Sequence, residues 1–130
     1  MVGFSSVSPP DIAALLEQAR LACPDAAALV EQLAAEPGAE RLSDLGTQLV
    51  RAGSPALAKR CYALAIELEP GLAKAHHNLG NLLVKSGESA AAERSFRAAI
   101  ALDRGRAQSH AALASLLQRE GRFGEAVAAY

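Results

Sequence analysis

Residues 73–106 read AKAHHNLGNLLVKSGESAAAERSFRAAIALDRGR, and residues 39–72 before them read AERLSDLGTQLVRAGSPALAKRCYALAIELEPGL. The two stretches are identical at 13 of 34 positions. The same register continues past 106. Leu45, Leu79 and Leu113 are 34 residues apart, as are Leu49, Leu83 and Leu117, then Gly53, Gly87 and Gly121, then Ala58, Ala92 and Ala126. Tyr62, Phe96 and Tyr130 keep the same step. Coincidence does not produce so many matches in one register, and a period of this length marks a stacked-repeat architecture.

Each period reads as two helices. In the second unit the first helix is expected from about Ala73 to Ser86, ended by Gly87, a residue suited to the left-handed position after a helix. The second is expected from about Ser89 to Leu102. In the first unit Ser54 reads as an N-cap, with Pro55 in the first turn, where its missing N–H costs nothing. Pro70-Gly71 ends that helix.

The pairs Leu45/Leu49 and Leu79/Leu83 are four residues apart, which gives each first helix one apolar stripe. Gly46, Gly80 and Ala114 follow the leading leucines, and Ala58, Ala92 and Ala126 stand on the second helices. Small residues on facing helices let the backbones approach closely. Phe96 and Ala99 are expected to reach toward the following unit. No unit covers its own apolar face, so the units must stack.

The pattern Leu-Gly-x-x-Leu, then Ala-x-x-x-aromatic-x-x-Ala, then Pro resembles the tetratricopeptide repeat (TPR). It appears as Leu45-Gly46, Leu49, Ala58, Tyr62, Ala65 and Pro70; as Leu79-Gly80, Leu83, Ala92, Phe96 and Ala99; and as Leu113-Ala114, Leu117, Ala126 and Tyr130. Leu42, His76 and His110 replace the family's leading aromatic, Leu stands for its mid-helix Tyr, and Arg104 stands for the closing Pro of the second unit. The resemblance implies an all-α fold, an α-solenoid of antiparallel helix pairs curving into a right-handed superhelix whose first helices line a concave groove. It also implies a partner protein or peptide in that groove.

Outside the repeats, residues 10–38 read as an N-terminal helical pair, either a cap or a degenerate repeat. Pro9-Pro10-Asp11 opens one helix, and Pro24-Asp25 opens the other. The expected organisation is a disordered segment 1–9, the pair 10–38, repeats 39–72 and 73–106, and a truncated repeat 107–130. Tyr130 falls inside a helix of the third unit, so the chain reads as the N-terminal part of a longer protein. An open C-terminal face would then offer a surface for self-association.

The 130 residues carry a net charge of −1 and only 4% aromatics, which argues against nucleic acid and anionic membranes as partners. No apolar run approaches a membrane span of roughly 18 residues. No signal peptide is visible, and a cytoplasmic setting is expected. Cys23 and Cys61 lack CxxC spacing and read as small buried hydrophobes. No nucleophile elbow, P-loop or dinucleotide fingerprint occurs, so neither an enzyme nor a cofactor is expected.

Three groups of residues are candidates for function. His76 and His110 share a repeat position, which puts them on different helices one repeat apart, too far to share a metal. They read as packed histidines, and no metal is expected. Arg51, Lys85 and Arg119 recur near the ends of the first helices. There they offset the helix dipole, and they could also meet carboxylates of a partner along the groove. Lys74, His77, Asn78 and Asn81 share a helix face at i, i+3, i+4 and i+7. An asparagine there can bond a peptide's main-chain N–H and C=O together.

The phrase His77-Asn78-Leu79-Gly80-Asn81-Leu82 is similar to repeats of the O-linked N-acetylglucosamine transferases, in which asparagines hold substrate peptides. The expected partner-binding set is Arg51, Lys74, His77, Asn78, Asn81, Lys85, Ser115 and Arg119. Two functions follow as expectations: a protein-interaction scaffold, or the substrate-recruiting arm of a glycosyltransferase or methyltransferase whose catalytic domain lies beyond Tyr130.

Overall fold

The computed structural model describes residues 9–129, so the expected disorder of 1–9 lies outside the described residues but for Pro9. The elements are α1 (Pro9–Ala22), a 3-10 turn (Pro24–Ala26), α2 (Ala27–Ala35), α3 (Ala39–Arg51), α4 (Pro55–Leu68), α5 (Ala73–Lys85), α6 (Ser89–Leu102), α7 (Ala107–Arg119) and α8 (Phe123–Ala129). Helices α3/α4, α5/α6 and α7/α8 form the pairs that the period predicts. The described residues contain no strand.

The ends of α3, α5 and α7 are built alike. Gly53, Gly87 and Gly121 sit at φ +85°, +81° and +77°, a conformation that side chains with a Cβ rarely adopt. That turn sends the N–H of Ser54, Glu88 and Arg122 back to the carbonyls of Leu49 (2.8 Å), Leu83 (2.9 Å) and Leu117 (2.8 Å). The glycine N–H groups reach Val50, Val84 and Gln118. This double closure is a Schellman motif, and it satisfies carbonyls that would otherwise lack partners. Ser54 does precede Pro55 at the N-cap of α4, but its hydroxyl makes no capping bond. The start of α4 rests on Pro55 and on its own main-chain bonds.

In the α3/α4 and α5/α6 pairs the inner-helix glycine leaves room that the aromatic sixteen positions later fills. A Cβ on Gly46 would stand 2.6 Å from Cε1 of Tyr62, and one on Gly80 would stand 2.6 Å from Cε1 of Phe96. Tyr62 and Phe96 are almost fully buried as a result. Phe96 also belongs to a core shared with Leu113, Leu116 and Leu117 of α7, the reach into the next unit that its position predicts. One apolar cluster runs from α1 to α5 and a second from α5 to α8, with Leu79 packed against both.

The inner helices α3, α5 and α7 stack on one another, while α4 and α6 rest mainly on the inner helices to either side. The N-terminal pair sits differently. Its second helix, α2, packs on α3, and its first, α1, packs on α4, where Arg60 donates to Gln18 Oε1 at 2.6 Å. Cys23 and Cys61 are both buried free thiols, and burial pushes the Cys61 thiol up to about 12, away from nucleophilic use.

Candidate functional site

Three depressions follow one another along the inner helices. The first, about 660 Å³, lies between α2, α3 and α5 and is bordered by Asp25, Gln32, Asp44, Arg51, Lys74 and Asn78 among others. The second, about 230 Å³, lies between α3 and α5 and includes Thr47, Arg51, Tyr62, Asn78, Asn81 and Lys85. The third, about 290 Å³, lies between α5 and α7 and includes Asn81, Lys85, Phe96, Ser115 and Arg119. Shared residues join them: Arg51 and Asn78 border the first two, and Asn81 and Lys85 the last two. Seven of the eight expected partner-binding residues therefore lie along one groove; the exception is His77.

His77 is buried. A step of four residues turns a helix by one revolution and about 40° more, which leaves Asn81 on the groove and rotates His77 toward α7. There its Nδ1 lies 3.0 Å from Ser109 Oγ and its Nε2 lies 3.2 Å from Asn81 Nδ2. The ring leans on Phe96, with centroids 5.7 Å apart. Burial first, and the positive charge of Arg106 second, hold its pKa below the ordinary histidine value of 6.5.

Two more of the expected residues are already engaged. Lys74 Nζ donates to Asp44 Oδ1 at 2.6 Å and lies 3.8 Å from Glu40, so its charge is met from α3. Asn78 Nδ2 donates to Ser43 Oγ at 3.0 Å. These side chains tie α3 to α5 and leave only part of their polar capacity to a partner. Arg51, Lys85 and Arg119, by contrast, are exposed and form no ion pair among the described residues. Among the described residues no aspartate or glutamate borders the second or third depression.

Thr47 is a groove residue that sequence reasoning missed. It stands at the repeat position of Asn81 and Ser115, so the same 34-residue step that pointed to those two would have found it. Its Oγ1 donates to the Ser43 carbonyl at 3.2 Å and lies 3.0 Å from Tyr62 Oη. His76 and His110 lie outside the groove. Each is half-buried and donates from Nε2 to a carbonyl six residues earlier, Pro70 at 3.0 Å and Arg104 at 2.9 Å. They brace the turns leading into α5 and α7.

A separate depression of about 560 Å³ opens between α6, α7 and α8, lined by Arg97, Ile100, Arg104, His110, Leu113 and Glu125 among others. Among the described residues no group of three His, Cys, Asp or Glu is placed to hold a metal ion, and no helix is long and apolar enough to cross a membrane.

Residues 73–106 match the family model of the tetratricopeptide repeat, the same span that the internal period assigns to the second unit. No curated protein matches the chain. Solved structures with the same fold include MamA at 20% identity, covering 93% of this chain and 70% of that one with a TM-score of 0.71. Another crystal structure of MamA, 23% identical, covers 100% of this chain and 71% of that one with a TM-score of 0.70. The second TPR of Spaghetti (RPAP3), bound to the HSP90 peptide SRMEEVD, is 22% identical and covers 76% of this chain and 92% of that one with a TM-score of 0.68. The chain folds as an α-solenoid of antiparallel helix pairs, and residues 73–106 within it match the tetratricopeptide repeat.

Proposed function

We propose that the chain is a binding module that holds an extended, acidic segment of a partner protein along the inner helices. The observation that carries this reading is the charge of the second and third depressions. Among the described residues they are bordered by Arg51, Lys85 and Arg119 and by no carboxylate, on a chain whose net charge is −1. Cations near helix C-termini also offset the helix dipole, but that role does not require the facing carboxylates to be missing. Beside the cations runs a row of short polar side chains, Thr47, Asn81 and Ser115, suited to main-chain N–H and C=O groups. The second TPR of Spaghetti, with the same fold, is bound to a peptide in which three of seven residues are acidic.

The repeat also sets a spacing. Packed helices lie about 8–10 Å apart, and an extended chain advances about 3.3 Å per residue. One repeat therefore corresponds to about three residues of ligand, and carboxylates at every third position would meet successive cations. The test is fluorescence anisotropy with two labelled Gly/Ser peptides of equal length, one with Asp at every third position and one with Lys. The Asp peptide should bind, more weakly as salt rises. The variant Arg51→Ser/Lys85→Ser/Arg119→Ser should lose about tenfold in affinity, roughly 1.4 kcal/mol spread over three exposed charges. Equal binding of the Lys peptide, or an unaffected triple variant, would sink the groove assignment.

A further inference from the structure

His77, Ser109 and Asn81 form a polar chain that runs from the α5–α7 interface out to the groove. Ser109 is fully buried, His77 is 9% exposed, and Asn81 is exposed and borders two depressions. Of the buried polar side chains Ser43, His77, Ser95 and Ser109, only His77 can change charge near neutral pH. Both ring nitrogens are engaged.

A neutral imidazole has one donor and one acceptor. The amide nitrogen of Asn81 only donates, so the Nε2 beside it must accept. The ring proton then sits on Nδ1 and is donated to Ser109 Oγ. With Nδ2 turned inward to His77, the other end of the Asn81 amide, Oδ1, is the end left for the groove.

We infer that His77 is a positioning residue that decides which end of the Asn81 amide a partner meets: neutral His77 presents the acceptor Oδ1 to a main-chain N–H, and protonated His77 inverts the amide to present the donor Nδ2. The inference deepens the groove reading above and rests on it for its meaning to a partner. Protonated Nε2 would face the Asn81 Nδ2 as donor against donor, and turning the amide by 180° removes the conflict.

The groups around the ring favour the neutral state. Arg106 and Ser109 act from α7 and its approach, Phe96 from α6, and Asn81 from α5 itself. The positive charge of Arg106 opposes a second positive charge on the ring. In α3 the equivalent position is Ser43, and in α7 it is Ala111. Neither titrates, so this device belongs to the middle of the groove alone.

The experiment is NMR on the ¹⁵N-labelled full chain without any partner. At neutral pH, long-range ¹H–¹⁵N correlations should show His77 protonated on Nδ1. On acidification the Asn81 side-chain amide resonances should move with the same midpoint as the His77 ring. In His77→Gln, whose amide can accept from Asn81 and donate to Ser109 at once, the fold should persist and the Asn81 shift should disappear. A neutral His77 protonated on Nε2, an Asn81 amide that ignores the His77 midpoint, or an equal shift in His77→Gln would each overturn the inference. Because the readout needs no ligand, a failure of the peptide titrations would refute the groove reading without touching this one.

Discussion

The joints α3/α4 and α5/α6 share a backbone device and differ in the chemistry laid over it. In both, an inner-helix glycine lies flat against an aromatic ring, with 2.6 Å between the ring and the place a Cβ would occupy. In the first joint the ring is Tyr62, and its hydroxyl is held by Thr47 at 3.0 Å. In the second the ring is Phe96, which has no polar anchor and takes the tilted face of His77 instead. The close contact is what the stack needs and it repeats. Of the polar groups that reach the groove, the cations Arg51, Lys85 and Arg119 also repeat, while the shorter side chains Thr47, Asn81 and Ser115 differ from unit to unit.

The largest expected effect tests whether the two close contacts are equally rigid. Gly→Ala in a helix interior gains about 1 kcal/mol of helix propensity. Overpacking a dense core costs about 1–3 kcal/mol. Gly46→Ala and Gly80→Ala should therefore each be net destabilising despite the better helix former. Gly46→Ala should cost more, by about 1 kcal/mol, because Tyr62 must give up its bond to Thr47 before its ring can yield. Urea denaturation of the two variants measures the difference. Measured against Tyr62→Phe rather than wild type, Gly46→Ala should cost no more than Gly80→Ala does. If Gly80→Ala proves the costlier, the anchor is not what stiffens the first joint.

A smaller effect follows from converting one ring into the other. Tyr62→Phe alone should lose about 1 kcal/mol, the usual net worth of one hydrogen bond. Thr47 keeps its bond to the Ser43 carbonyl, so no polar group is orphaned. The reverse change, Phe96→Tyr, should gain nothing, because Asn81 at the position of Thr47 is already turned to His77. A stabilised Phe96→Tyr would mean that Asn81 is free to be recruited.

The 34-residue step made the helix pairs legible because it repeats the residues that backbone geometry cannot do without. Gly87 marked a left-handed turn, and that turn is there. The spans expected for α5 and α6 differ from those observed by one residue at most. The groove was legible in the same way for residues that recur, such as Arg51, Lys85 and Arg119. The roles of Lys74, His77 and Asn78 were not. A helical wheel gives their direction around α5, but their partners Asp44, Ser43 and Ser109 belong to neighbouring helices. Which neighbour each side chain meets depends on how the units rotate against one another, a property of the stack that no single period contains. Ser54 shows the limit at short range: it occupies the N-cap position without making the bond that favours serine there.

The smallest expected effect separates the joints by pH. Burial and Arg106 lower the pKa of His77 in the folded chain below the 6.5 of an ordinary histidine. As pH falls through that value the unfolded chain takes up the proton first, so it binds more protons than the folded chain and stability declines. The decline runs from the unfolded value down to the folded one and then stops. Glu93 and Glu125 act in a separate, more acidic window: hydrogen bonds from Arg122 lower both carboxyls from 4.5, so their contribution is present above that value and is lost as they protonate in the folded state. Comparing urea midpoints at about pH 7.5 and about pH 5.5 stays clear of the carboxylate window, and the His77→Gln variant then isolates the contribution of His77. The wild-type midpoint should drop between the two, and that of His77→Gln should drop less. Ser43, the counterpart of His77 in the first unit, cannot titrate, so the loosening should begin between α5 and α7, with amide exchange quickening there before it does between α3 and α5. Uniform quickening would assign the pH effect to the whole chain rather than to the second joint.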